Sequence, residues 1–409
     1  MTSIKRIAVV GGGAAGMMAA GTALMHGASV TVYEHKDRPL RKLRITGKGR
    51  CNVTNHCTTE EFIANVIHNP RFMYAPLSHL SPEDTITFFE SLGVPLKTER
   101  GRRVFPVSDK AADIAEALLR YTEGAIVRYE HVRSLWIENG VLCGVEGKAK
   151  ERYDAVILAT GGKSYPLTGS DGSGYALAVQ AGHTVTPLSP SLVPLTSKSP
   201  YPPRMQGLSL KNVALRIVKN DGGKVLYEDF GEMMFTHFGL TGPMVLSASA
   251  HLQGEDISTL SAEIDLKPAL DEKTLDSRLL SDFSKFSNRN FENALSSLLP
   301  AKMIPVMVEY TGIDKEKKVH DISREERLRL LGALKCFRIP LHGFRPIDEA
   351  IVTAGGIRVS EIDPKTMMSK LVQGLYFAGE VIDCDAYTGG FNLQIAWSTG
   401  YAAGMSVKR

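Results

Sequence analysis

The apolar positions of this chain fall into two textures. Over residues 5–34 they form short unbroken runs: "RIAVV" and "SVTVYE" read as buried strands, and the small-residue segment "MMAAGTALMHG" between them reads as a helix. That stretch predicts one βαβ unit. "YDAVILATGG" and "GLYFAGEVID" each repeat an apolar run that ends in glycines, and "GGFNLQIAWSTGYAAG" continues as a helix. "SPEDTITFFESLG" has helical spacing, with Pro82 in the first turn and Gly93 at its end. "GAIVRYEHVRSLWIENGVLCGVEG" predicts strands about an Asn139-Gly140 turn.

From residue 192 the texture changes. "VALRIV" and "KVLYEDF" alternate as half-buried antiparallel strands do, whereas "DEKTLDSRLLSDF" and "REERLRLLGALK" carry apolar residues at helical spacing under charged faces. The order is α/β, all-β, α, then α/β again. It predicts an α/β domain in two parts, 1–191 and 353–409, interrupted by an antiparallel β unit over 192–268, a helical unit over 269–332, and a return to the β unit over 333–352.

No apolar run approaches the roughly 20 residues of a membrane span, and the five scattered cysteines argue against a disulfide framework. Both point to the cytoplasm and away from a membrane. A net charge of +4 permits an anionic ligand without demanding one. Cys51 and Cys57, flanking His56, lack zinc spacing and have no second pair, so no metal is expected.

Gly11-x-Gly13-x-x-Gly16 follows the first strand and opens the first helix, the context a dinucleotide fingerprint needs. Gly11 allows the tight turn, Gly13 admits a pyrophosphate close to the backbone, and Gly16 lets helix and strand pack closely. The helix N-terminus, at Ala14 and Ala15, offers free N–H groups to phosphate. Glu34 ends the second strand and suits the ribose hydroxyls. "ATGGKS" is not a P-loop, because the first glycine of that motif would fall at Ile157. The remote glycine-ended strands favour FAD over NAD, since an extended FAD draws on distant segments. Thr160 and Gly161 lie in the first of these segments, and Gly379, Glu380 and Asp383 in the second. The helix opening at Gly390, with Asn392, Leu393 and Gln394, would cover the ribityl chain and pyrimidine end. Val132 completes the cofactor set.

The segments "VVGGGAAG", "ITGKGRCNVTN", "VILATGGKSYPLTGSDGSGY", "GEMMFTHFGLTGP" and "GLYFAGEVIDCDAYTGGFNLQIAWSTGYAAG" resemble the YhiN/BaiN-type flavoproteins, a family also described as aminoacetone-oxidase-like, from about residue 5 to 405. The resemblance implies a Rossmann-type FAD-binding domain, like that of two-dinucleotide-binding-domain flavoproteins, with an inserted antiparallel β-barrel-like domain and a small helical domain. It also assigns the basic loop "RKLRITGKGRCNVTN", which is too charged for a core and too glycine-rich for a helix. Arg41 and Lys42 are expected to neutralise phosphate, and Thr46, Gly47, Gly49, Arg50 and Asn52 to run under the flavin.

Within that loop Cys51 is either a packing residue behind the flavin, a proton donor whose pKa Arg50 lowers, or a redox thiol. His237, between two phenylalanines, is a structural residue or the rival acid. One fingerprint and no second Rossmann domain mean that electrons would enter by transient docking of NADH or NADPH at the flavin, or from a small carrier or substrate. The expected activity is an FAD-dependent oxidoreductase that passes hydride through flavin N5 to an activated C=C bond. Family members have been linked to dihydrouridine formation in ribosomal RNA and to steroid-type alkenes, so the substrate is RNA or a small molecule. Lys315, Lys317, Lys318, Arg324, Arg327 and Arg329 could face RNA, though Glu325 and Glu326 interleave with them. The competing activities are an amine or aminoketone oxidase and a non-enzymatic FAD-binding carrier.

Overall fold

A computed structural model describes residues 4–407. The chain divides into two compact units, one running to Ser191 and resuming at Pro346, the other spanning Leu192–Arg345.

The first unit is built on five parallel strands: β1 (Arg6–Val10), β2 (Ser29–Glu34), β3 (Ile126–Tyr129), β4 (Ala155–Leu158) and β5 (Leu375–Phe377). Their order across the sheet is β5-β4-β1-β2-β3, with Ile7 in register with both Val30 and Ala155, and Val156 with Leu375. Strands covered on both faces need no polar alternation, which is why β1 and β4 read as unbroken apolar runs. Two helices matter for the site: α1 (Ala14–Met25), which follows β1, and α2 (Phe391–Ser406), which ends the unit. They touch through small residues. A Cβ on Gly400 would stand 2.4 Å from the carbonyl oxygen of Ala15, and one on Gly404 2.5 Å from that of Ala19. The alanine- and glycine-rich character of both helices therefore follows from close backbone contact.

Local signals behave as their chemistry requires. The helix Pro82–Ser91 starts with a reciprocal capping box between Ser81 and Asp84. Asn139 and Gly140 both take left-handed angles in the hairpin joining Ser134–Glu138 to Val141–Glu146.

In the second unit a seven-stranded antiparallel sheet is centred on the long pair Ser209–Lys219 and Val225–Thr236. The helices Glu272–Lys285 and Arg324–Lys335 share one core with it: Leu215, Ile264, Leu279, Leu330 and Phe337 are all fully buried. No described helix is long and apolar enough to cross a membrane.

Candidate functional site

A cavity of about 350 Å³ in the first unit runs from the end of β2, past the turn after β1, to the start of α2. Its lining includes Gly11, Gly13, Ala14, Ala15 and Glu34. Gly11 has φ +107°, and a Cβ there would meet the Ala159 carbonyl oxygen at 2.5 Å, so the turn demands glycine. Gly16 does not line the cavity. A Cβ on it would lie 1.9 Å from the Gly11 oxygen, so it serves the helix–turn contact. Gly13 is different: nothing lies within 4 Å of its Cβ position, which leaves the space before the helix N-terminus free. The carboxylate of Glu34, 8% exposed, accepts hydrogen bonds from the N–H of Gly12 at 3.1 Å and of Lys36 at 2.8 Å. Val132 lines the same end.

The basic loop is more ordered than its composition implies. Arg41–Ile45 forms one helical turn entered through a left-handed Leu40, and Thr46–Gly49 tightens into a 3₁₀ turn with Gly47 and Lys48 left-handed. The fully buried Leu43 anchors it. Thr46, Gly47 and Asn52 line the cavity; Gly49 and Arg50 do not. Gly49 is exposed. Arg50 turns to Glu99 and Asp109, at 2.5 Å from each, and lies 4.1 Å over the Phe105 ring. Arg41 and Lys42 line the cavity but are not free cations. Arg41 pairs with Asp37 at 2.7 Å. Lys42 donates to Glu380 and Ser164, each at 2.7 Å.

Cys51 is fully buried and outside the cavity lining. Burial pushes its thiol up to about 12 against a hydrogen bond with Thr46. The lowering expected from Arg50 is absent, because Arg50 is held by two carboxylates. Of the roles open to Cys51, this geometry favours packing. A thiol neutral to about pH 12 when folded, but ionising near pH ~8.5 when unfolded, contributes stability below the unfolded value that is lost as pH rises toward the folded one. Iodoacetamide at about pH 8.5 is therefore expected to spare Cys51 in the native protein and modify it after denaturation. Peptide mass spectrometry reads the result, and rapid native labelling would contradict the burial.

From the far segments, Thr160, Gly161, Gly379, Glu380, Gly390, Asn392 and Leu393 line the cavity. Glu380 also accepts hydrogen bonds from the Thr353 N–H and the Ser164 hydroxyl. The Asn392 side chain bonds the backbone of Ala386 in both directions, at 2.9 and 2.7 Å, and so shapes the cavity wall. Asp383 and Gln394 lie outside the lining. The Asp383 backbone ties Ile357 to Asn69. Gln394 is fully buried and bonds Thr54, Leu80, Thr85 and Ser398.

Several lining residues escaped the sequence reading: Glu130 and His131 beside Glu34, Thr168 to Ser170 and Ser173 after β4, and Cys384 and Tyr387 before α2. The glycine-spaced "SYPLTGSDGSGY" was the signal for the second group.

FAD fits this donor set. The cavity joins glycine turns from both ends of the chain, and two lining side chains, Thr160 Oγ1 and Asn52 Oδ1, are buried with no protein partner. Buried polar atoms without partners are rare in proteins and mark where a ligand group would bond.

In the second unit, His237 sits exposed in the turn between Val225–Thr236 and Gly239–Thr241, its ring 5.0 Å from Phe238. Lys317 pairs with Glu326 at 2.8 Å and Arg327 with Asp276 at 2.7 Å, so part of the basic run is neutralised locally. Among the described residues no group of three or more His, Cys, Asp or Glu is placed to hold a metal.

Residues 5–406 match the family model described as HI0933-like protein Rossmann domain. The chain is 33% identical to the 3-dehydro-bile acid delta(4,6)-reductase of Clostridium scindens over 98% of both chains. It is 30% identical to the ribosomal RNA dihydrouridine synthase of Escherichia coli over 96% of both. Among solved structures, the 3-ketosteroid-delta4-(5alpha)-dehydrogenase of Rhodococcus jostii shares the fold, with a TM-score of 0.54 at 15% identity, over 100% of this chain and 98% of the other.

Proposed function

The chain belongs to the HI0933-like Rossmann family, and we propose that it is an FAD-dependent oxidoreductase that saturates a C=C bond conjugated to a carbonyl. The observation that carries this reading is a single cavity uniting the Gly11–Gly13 turn with Gly379 and the Gly390–Leu393 helix start. When bound, FAD supplies a two-electron carrier. The chain's own residues hold and orient it. The uncapped start of α1 presents N–H groups to phosphate, Glu34 addresses the ribose, and Thr160 and Asn52 offer their unpaired oxygens. Among the described residues one glycine turn opens one parallel Rossmann sheet, so NADH or NADPH has no domain of its own and docks transiently.

The two named relatives above point to one bond type, because a bile-acid enone and a uracil ring each carry an alkene conjugated to a carbonyl. Two of the six basic residues of the helical run, Lys317 and Arg327, are already ion-paired, and the 33% identity to the bile-acid reductase supports a small-molecule substrate. Heating the purified protein is expected to release FAD and no FMN, as resolved by chromatography. Anaerobically reduced protein should then be reoxidised by a steroid 4-en-3-one and not by a uridine-containing ribosomal RNA transcript. Release of FMN alone would remove the reading, and peroxide production from an aminoketone would replace it with the oxidase alternative.

A further inference from the structure

Lys42 and Glu380 line the cofactor cavity from opposite sides of its glycine turn. Lys42 lies on the chain leaving β2 and Glu380 on the chain leaving β5, and β1 and β4 stand between those strands in the sheet. The glycine turn follows β1. Lys42 Nζ donates to Glu380 Oε2 at 2.7 Å and to the hydroxyl of Ser164, on the chain leaving β4, also at 2.7 Å. Both bonds therefore bridge the cleft rather than run along one wall.

The two ends of the bridge differ in stiffness. Glu380 is a fixed catch: its Oε1 accepts from the Thr353 N–H at 2.9 Å and from Ser164 at 3.0 Å, and the neighbouring Gly379 N–H donates to Thr399 of α2 at 2.9 Å. On the other side, the helical turn Arg41–Ile45 is pinned by buried Leu40 and Leu43, and the Leu40 N–H donates to the Gly12 carbonyl at 2.8 Å. The base of Lys42 is thus tied to the glycine turn itself, and only its flexible four-carbon stem spans the gap. The two side chains are 23% and 20% exposed, so salt screens this pair less than a surface pair. Water still reaches it, which lets it open.

We propose that the Lys42–Glu380 pair is a clasp across the cofactor cleft, which gates the entry and exit of FAD rather than adding to its affinity. The inference rests on the FAD reading above. Lys42 has already committed two of its three ammonium protons to the protein, so its charge is balanced without a phosphate. A clasp of equal strength over an empty and a filled cavity slows entry and exit by the same factor, the fraction of time it stands open, and leaves the equilibrium constant alone. A lysine that bonded the phosphate would behave differently. Its contact would exist only with the cofactor in place, and removing it would speed exit alone.

The test measures both rates on the full chain. Mixing apoprotein with FAD in stopped flow reads entry from the change in flavin fluorescence, and chasing bound radiolabelled FAD with excess unlabelled FAD reads exit. Lys42→Met should speed entry and exit by about tenfold each, the size of a charge-assisted hydrogen bond, with Kd held within about threefold. Glu380→Gln should speed both in the same way, and the double variant should be no faster than the faster single one, because either change opens the same clasp. Should Lys42→Met not fold, Lys42→Gln carries the same test. Faster exit with unchanged or slower entry makes Lys42 a phosphate ligand and overturns the proposal. Wild-type rates in the Lys42 variant overturn it too, as does a double variant whose effect is the product of the two single ones. Wild-type apoprotein that takes up no FAD fails at an earlier step, and defeats the cofactor reading together with this inference.

Discussion

Gly13→Leu is expected to give a folded protein that purifies without flavin colour. The backbone at Gly13 is extended, φ −80° and ψ −171°, a conformation leucine adopts freely. Apart from its chain neighbours, no atom lies within 4 Å of its Cβ position and Gly13 lines the cavity, so the leucine side chain is expected to extend into the cavity rather than into the fold. It would fill the space before the N-terminus of α1, where the N–H groups and the helix dipole favour a pyrophosphate. Affinity for FAD should fall at least about 100-fold, roughly 2.8 kcal/mol, as measured by titrating apoprotein. The apoprotein melting temperature should remain within a few degrees of the wild-type apoprotein. Gly11 would not make this test, because any Cβ there strikes the Ala159 carbonyl and damages the turn itself. A Gly13→Leu protein that retains stoichiometric FAD would show that the cofactor does not cross this turn.

The glycine turn was legible in the sequence because its function is local. A strand, three spaced glycines and a helix determine where the backbone N–H groups point, whatever the rest of the chain does. The unbroken apolar runs of β1 and β4 were legible for a similar reason, as both faces are covered. Charged side chains were not legible in this way. Lys42 reads as a phosphate-binding cation until its partner Glu380, 338 positions away, is brought beside it. Arg50 likewise loses its apparent role to Glu99 and Asp109, 49 and 59 positions along. Periodicity reports the local fold, and a lone cation's partner depends on topology.

The "GGFNLQ" stretch divides along the same line, and Gln394→Leu tests the division. Gly390 and Leu393 line the cavity, whereas Gln394 points into a buried polar knot. Its Oε1 accepts from the Thr54 hydroxyl at 2.6 Å, and its Nε2 donates to the Leu80 carbonyl, the Thr85 hydroxyl and the Ser398 hydroxyl at 3.1, 2.8 and 3.0 Å. Leucine is of similar size but makes none of these bonds. Thr54 loses its acceptor outright, while the Leu80 carbonyl keeps its bond from Ser398 at 2.7 Å. With one to three kcal/mol as the usual penalty for a buried unsatisfied group, the expected loss is about 3 kcal/mol. Denaturant unfolding of the apoprotein measures it without involving the cofactor. If Gln394 instead served the flavin ring, the leucine variant would keep its apoprotein stability to within about 0.5 kcal/mol and lose FAD affinity. A knot that joins α2 to Thr54, Leu80 and Thr85 predicts the reverse order: apoprotein stability falls first, and any loss of FAD affinity follows from it.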